Sequence, residues 1–364
     1  MMIRALILWL LILPVTAGAT GLGEADEPLP EASITLTDAL DRTITLPGPP
    51  RRLVTAGRAV LMIADVLYAF ETAPDRLVGV GRISQGRENF LPAIDPDYDE
   101  KTILERSVGP EQIAALNPDA VILKTFMRES LGSRLEALGI PVVYVQLETP
   151  EQYQRDLRTL GVLLGEPARA EQLAQFYQNV VEEVTAHVAT VRAGSGAPDT
   201  LLLYSRPSDG DSAFQVPPAT WIQTRMIEIA GGNPVWRQAN PGGGWGTVGF
   251  EQIAAWDPEH IMIVAYDGSA ANLRDRLMDQ PRWRALRAGA EGNIHAFPTD
   301  FYSWDQPDTR WILGLQWLAH TINPTVEYPR SMESAAREFF FEFYRLDDSA
   351  FASVISPMLT GDLD

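Results

Sequence analysis

The chain has 364 residues, with 29 Lys and Arg against 48 Asp and Glu, a formal net charge of −19 at pH 7. So acidic a chain lacks the clustered cations that a phosphate backbone demands, which argues against a nucleic-acid partner. With 46% hydrophobic residues it is too apolar for a disordered chain and long enough for two cores, and the absence of cysteine excludes disulfides, thiolate metal sites, cysteine nucleophiles and a lipidated tether.

The N-terminus reads as an export signal, residues 1–19: Arg4, an apolar run from Ala5 to Leu13, the helix-breaking Pro14, then Ala17-Gly18-Ala19 as a small-x-small cleavage site. The run is shorter than the roughly 20 residues that span a bilayer, so a freely soluble periplasmic protein is expected. Gly21 to Glu31 reads as a flexible lead. Residues 33–150 then form a first α/β lobe. Apolar and polar residues alternate on both sides of Asp41-Arg42, which predicts a hairpin, and Pro47 to Pro50 a turn. Leu53-Val54 begins a buried strand, Ala59 to Phe70 a helix, and RLVGVG a second strand followed by a loop with Arg82 and Arg87. LGIPVVYVQL supplies a later strand.

Residues 151–196 form the linker. Pro167 suits a first helical position, and Ala168 to Arg192 follows without Gly or Pro, with Leu173, Phe176, Val180, Val184 and Val188 along one stripe and Gly194 to end it. A 25-residue helix spans roughly 37 Å, enough for a rigid strut between lobes. The second lobe, residues 197–364, repeats the theme with strand TLLLYSR, helix WIQTRMIEIAGG, the Gly-rich loop NPGGGWG, helix NLRDRLM, strand NIHAFP and helix TRWILGLQWLAHTI. Helical segments Met332–Leu346 and Ser349–Leu359 close the chain. Alternating strands and helices predict parallel sheets covered on both faces, with ligand sites beyond the strands' carboxyl ends.

The lobes share a repeat. Ser107 to Thr125 and, 140 positions later, Thr247 to Ala265 match in register at Val, Gly, Glu, Gln, Ile, Ala, Ala and Pro, each a short helix feeding a buried strand. The order of export signal, TDALDRTITLPGPPRRLV, two Val-Gly-x-Glu-Gln units, one long helix and IAGGNPVW resembles the periplasmic substrate-binding proteins of ABC importers for iron-siderophore complexes and cobalamin. The match covers nearly the whole mature chain. It implies two Rossmann-like α/β lobes with parallel sheets joined by one rigid helix, a ligand held between them, and no cofactor. By the same resemblance Glu111 and Glu251 occupy the positions that dock onto arginines of the permease, whereas a first-turn Glu read by itself caps its helix dipole.

Ligand contacts are expected just beyond the strands: Arg58, Arg82 and Phe126 from the first lobe, and Tyr204, Arg206, Trp245 and Tyr266 from the second. Tyr302, Trp304 and Arg310 crowd the stretch FYSWDQPDTR and form the densest candidate group. Arginine forks onto oxyanions and aromatic faces stack on catechol, corrin or porphyrin, although each such residue read alone is ordinary packing or a solvated cation. A 1:1 ligand complex of a monomer is expected, with an iron(III)-siderophore as the implied cargo and cobalamin, haem or a molybdate-type oxyanion as alternatives. Other chemistries fail. VGVGRIS has Ser84 where a dinucleotide loop needs its third Gly, the four histidines lack zinc-ligand spacing, and no Gly-x-Ser-x-Gly elbow is present. Asp300 and Asp305 could be paired into a hydrolase only by assumption, which leaves a periplasmic enzyme on the same fold as the different-class alternative.

Overall fold

The computed structural model describes residues 33–191, 196–206, 213–324 and 330–363. The export signal, the lead and Gly194 lie outside them. The hairpin forms as expected, β1 (Ile34–Thr37) antiparallel to β2 (Thr43–Leu46). Asp38 closes its turn by accepting from the backbone N–H of Leu40 and Arg42, and Arg42 donates onward to the Val142 carbonyl at 2.7 Å, so the hairpin is pinned to the lobe behind it.

Five parallel strands make the first sheet: β3 (Leu53–Thr55), β4 (Leu77–Gly81), β5 (Thr102–Leu104), β6 (Ala120–Lys124) and β7 (Val142–Val145), in the order β5-β4-β3-β6-β7. β3, β6 and β7 are buried at every position, which is why they read as unbroken apolar runs with no alternation. The second sheet contains β8 (Asp199–Tyr204), β9 (Ala213–Val216), β10 (Asn233–Pro234), β11 (Gly246–Gly249), β12 (His260–Val264) and β13 (Ile294–Ala296). Here the expectation of a parallel sheet is corrected at one edge. β9 runs antiparallel to β8, and β11 antiparallel to β9. Both are four-residue strands; β11 is bounded by glycines and begins inside what reads as a Gly-rich loop.

The repeat copies fall at equivalent places, since β6 lies against β3 and β12 against β8. The long helix spans Pro167–Val191 and buries Leu173, Ala174, Tyr177, Val180 and Val184. It touches both halves of the fold. Arg169 donates to the Ala69 carbonyl at 2.9 Å; farther along, Tyr177 stacks on Trp311 with an interplanar angle of 3° and donates to the Thr309 carbonyl. Helix Pro150–Leu164 packs so closely beside it that a side-chain carbon at Gly161 would come within 2.3 Å of the Ala170 methyl. The terminal helix Met332–Tyr344 sets Phe340 and Tyr344 against Phe90 of the first lobe. The last expected helix instead breaks into an α turn, a π turn and a 3₁₀ turn between Asp348 and Met358, with Pro357 in the final turn.

Candidate functional site

A cleft of about 910 Å³ opens beyond the carboxyl ends of the parallel strands. Each first-lobe strand ends at a cleft residue or a short step before one. β3 runs into Gly57, Arg58 and Ala59, β4 into Arg82, β5 into Arg106, β6 into Phe126 and β7 into Glu148. The turn after β3 is tight. Gly57 has φ 89°, and a side-chain carbon there would press within 2.7 Å of the Met127 methyl. Ala59 is also left-handed at φ 56°, a conformation unfavourable for alanine that is held at the mouth of helix Val60–Leu67. Val60 and Leu61 line the cleft from that helix's first turn, where backbone N–H groups have no intrahelical acceptor.

The first-lobe wall is therefore cationic. Arg58 and Arg106 are exposed, with no carboxylate partner among the described residues, and Arg58 sits 5.2 Å over the Phe126 ring. Arg82 is bound by Glu105 through both Nε and Nη2, and Glu148 is held 2.8 Å from Lys124. The opposite wall is aromatic. Tyr204 stacks on Tyr266 with centroids 4.5 Å apart, Trp245 lies 4.8 Å from Tyr204, and Trp221 meets Trp245 edge-on at 5.6 Å. Arg206 lies beside Tyr204 at the rim.

Seven of the expected contact residues thus meet in one cleft: Arg58, Arg82, Phe126, Tyr204, Arg206, Trp245 and Tyr266. Three do not, and the densest candidate group is a correction. Tyr302, Trp304 and Arg310 are fully buried away from the cleft. Arg310 forks onto Asp65 at 2.9 Å and Asp300 at 2.8 Å, and Phe90, Tyr302 and Phe340 surround its guanidinium. Burial disfavours the cation, but the two carboxylates outweigh that and hold it charged, with its pKa well above the usual value. Trp304 donates to Asp300, while Tyr302 accepts from the Phe90 N–H and donates to Asn89. Aromatic-plus-arginine composition described a seam between the lobes, because the counter-charges Asp300 and Asp65 neutralise Arg310 internally.

Sequence reasoning missed Arg106, Trp221 and Gln223. Arg106 follows the three-residue β5, and the other two begin helix Ile222–Ile229 after β9; neither strand was read, so neither strand end could be searched. Behind the aromatic wall lies Asp305, whose Oδ2 accepts from Tyr266 and Gln223, both at 3.4 Å. Burial pushes its carboxyl up to about 7 despite those hydrogen bonds. Glu111 and Glu251 lie elsewhere, exposed in the first turns of helices Pro110–Ala114 and Phe250–Trp256. Among the described residues no group of three or more His, Asp or Glu could hold a metal ion, and no helix is long and apolar enough to cross a membrane.

This geometry has relatives. The chain is 23% identical over 333 residues to the molybdate-binding protein MolA of Haemophilus influenzae, covering 85% of this chain and 90% of that protein. It is 24% identical to a cobalamin-binding protein of Halobacterium salinarum, covering 80% and 74% respectively. A periplasmic solute-binding protein from Veillonella parvula superposes with a TM-score of 0.70 at 20% identity, covering 89% of this chain and 97% of that one. The family model for periplasmic binding proteins matches residues 62–300. Two α/β lobes, one connecting helix and a cleft at the strand ends are the parts of such a protein, and the chain belongs to the periplasmic binding protein family, the substrate-binding proteins of ABC importers.

Proposed function

We propose that the chain is the periplasmic solute-binding component of an ABC import system, that it captures an anionic metal complex of the iron(III)-siderophore type in this cleft, and that it delivers the complex to a permease docked through Glu111 and Glu251. The carrying observation is the cleft's two-sided chemistry: Arg58 and Arg106, without a carboxylate partner among the described residues, on one wall, and the Tyr204–Tyr266–Trp245 cluster on the other. A ferric catecholate has the matching sides, anionic oxygens for the guanidinium forks and flat ring faces for stacking. A volume of about 910 Å³ suits a ligand of that bulk. A bare oxyanion is the second reading. It is favoured by the helix N-terminus at Val60 beside Arg58 and by the molybdate-binding relative, but it would leave most of the cleft to water.

The test is titration of the purified protein with a ferric tricatecholate, a ferric hydroxamate, cobalamin, haem and molybdate, following fluorescence of Trp221 and Trp245. Saturable 1:1 quenching by the ferric tricatecholate is expected. Arg58→Ala with Arg106→Ala should weaken it at least about a hundredfold, since each charge-assisted contact contributes about 1.5–3 kcal/mol. Saturation by molybdate alone would overturn the siderophore reading in favour of the oxyanion, and recovery of a chemically altered compound would overturn binding without turnover.

A further inference from the structure

Asp305 has an unusual setting. It is fully buried, no cation hydrogen-bonds it among the described residues, and its Oδ1 has no partner. Tyr266, Gln223 and Ser303 face the carboxyl, all neutral donors. Tyr204 stacks on Tyr266 from the cleft side. The charged groups of its own stretch are engaged elsewhere: Arg310 holds Asp300 and Asp65, and Asp308 accepts from the Arg310 backbone N–H. An ionised carboxylate in such a place has little to stabilise it.

Gln223 connects this group to the cleft. It lines the cleft although only 1% exposed; its Nε2 points at Asp305, and its Oε1, buried just beneath the cleft wall, has no partner among the described residues. A glutamine side chain can rotate to exchange its donor and acceptor ends, and the favoured orientation follows the protonation of its neighbour. With Asp305 ionised, the Gln223 amide N–H₂ turns to it and the carbonyl oxygen is left over. With Asp305 protonated, the new O–H donates to Oε1, and the N–H₂ is left over.

We propose that Gln223, backed by Asp305 and Tyr266, is a pH-set polarity switch in the cleft wall, offering its N–H₂ to an anionic ligand oxygen when Asp305 carries a proton and its carbonyl oxygen when it does not. The inference rests on the reading of the cleft as an anion-binding site, and it predicts tighter capture of anionic oxygen at acid pH, with affinity falling as pH rises through neutrality. Exchanging a donor for an acceptor against the same ligand oxygen corresponds to roughly a tenfold change.

Two measurements test it. In ligand-free protein, carbon NMR of the Asp305 carboxyl and nitrogen NMR of the Gln223 side chain are followed from about pH 5.5 to about pH 8.5, bracketing the value of about 7. Both signals should move with one midpoint; a static carboxyl signal, or a Gln223 signal that does not follow it, overturns the switch. Binding of a ferric tricatecholate and of molybdate is measured at the same two pH values in wild type and Asp305→Asn. The bound probe should weaken roughly tenfold at the higher pH in wild type. In Asp305→Asn, which cannot titrate, it should bind with the same affinity at both pH values. Equal pH dependence in both proteins overturns the proposal. Failure of both probes at both pH values would remove the anion reading, while the spectra would still decide the switch.

Discussion

Replacement of Arg310 by methionine tests the seam most directly. The guanidinium is fully buried, makes two hydrogen bonds to Asp65 at 2.9 and 3.0 Å and two to Asp300 at 2.8 and 2.9 Å, and stands within 5.2 Å of three ring centroids. Methionine keeps much of the volume and the contact with Phe90 and Tyr302 but leaves two carboxylates without a counter-charge. Removing one partner from a buried ionic group costs about 3–5 kcal/mol, a large fraction of the roughly 5–15 kcal/mol that holds a typical domain. Urea unfolding at neutral pH should show that loss. A compensated variant, Arg310→Met with Asp65→Asn and Asp300→Asn, should be more stable than the single mutant, since no bare charge remains. A loss below about 1 kcal/mol, unrelieved by the two asparagines, would refute the account of Arg310 as a charge-neutralised seam residue.

Asp305→Asn should raise stability in a pH-dependent way. Its folded-state carboxyl lies near 7, above its unfolded value, so the wild type loses stability as pH rises from about 4 to about 7 and stays low above; the variant should gain up to about 4 kcal/mol above pH 7 relative to pH 4. An equal gain at both pH values in urea unfolding would contradict this. Glu111→Ala with Glu251→Ala should leave cleft affinity and melting temperature nearly unchanged and cut uptake in cells. Simple helix capping predicts instead a loss of roughly 0.3–1 kcal/mol per site with uptake tracking folded protein.

Much of the fold was legible because it is written in runs and repeats. β6 and β12 each carry four consecutive apolar residues, Ala120 to Leu123 and Ile261 to Val264, each preceded by a short helix that opens with the same Gly-x-Glu-Gln, and helix Pro167–Val191 has a proline at its start and no breaker within. The short strands β5, β9 and β11 were not legible, because each has at most three apolar residues set among turn and loop residues, with glycine at both ends of β11. That loss propagated to the site, hiding Arg106, Trp221 and Gln223. The misplacement of Tyr302, Trp304 and Arg310 has another cause. Composition identifies residues able to bind an aromatic anion, but whether Arg310 meets a ligand or Asp65 depends on a partner 245 positions away.

The same helix serves both seam and cleft. Val60 to Met62 line the cleft from the first turn of Val60–Leu67, and Asp65, one turn later, grips Arg310. A hinge motion that pulled the lobes apart along this helix would separate that pair and break the Tyr302–Asn89 and Tyr344–Phe90 contacts with it. On the reading proposed for this cleft, those seam contacts oppose opening of the lobes, and affinity rests on the cleft walls: Arg58 and Arg106, which have no carboxylate partner among the described residues, and the aromatic cluster around Tyr204.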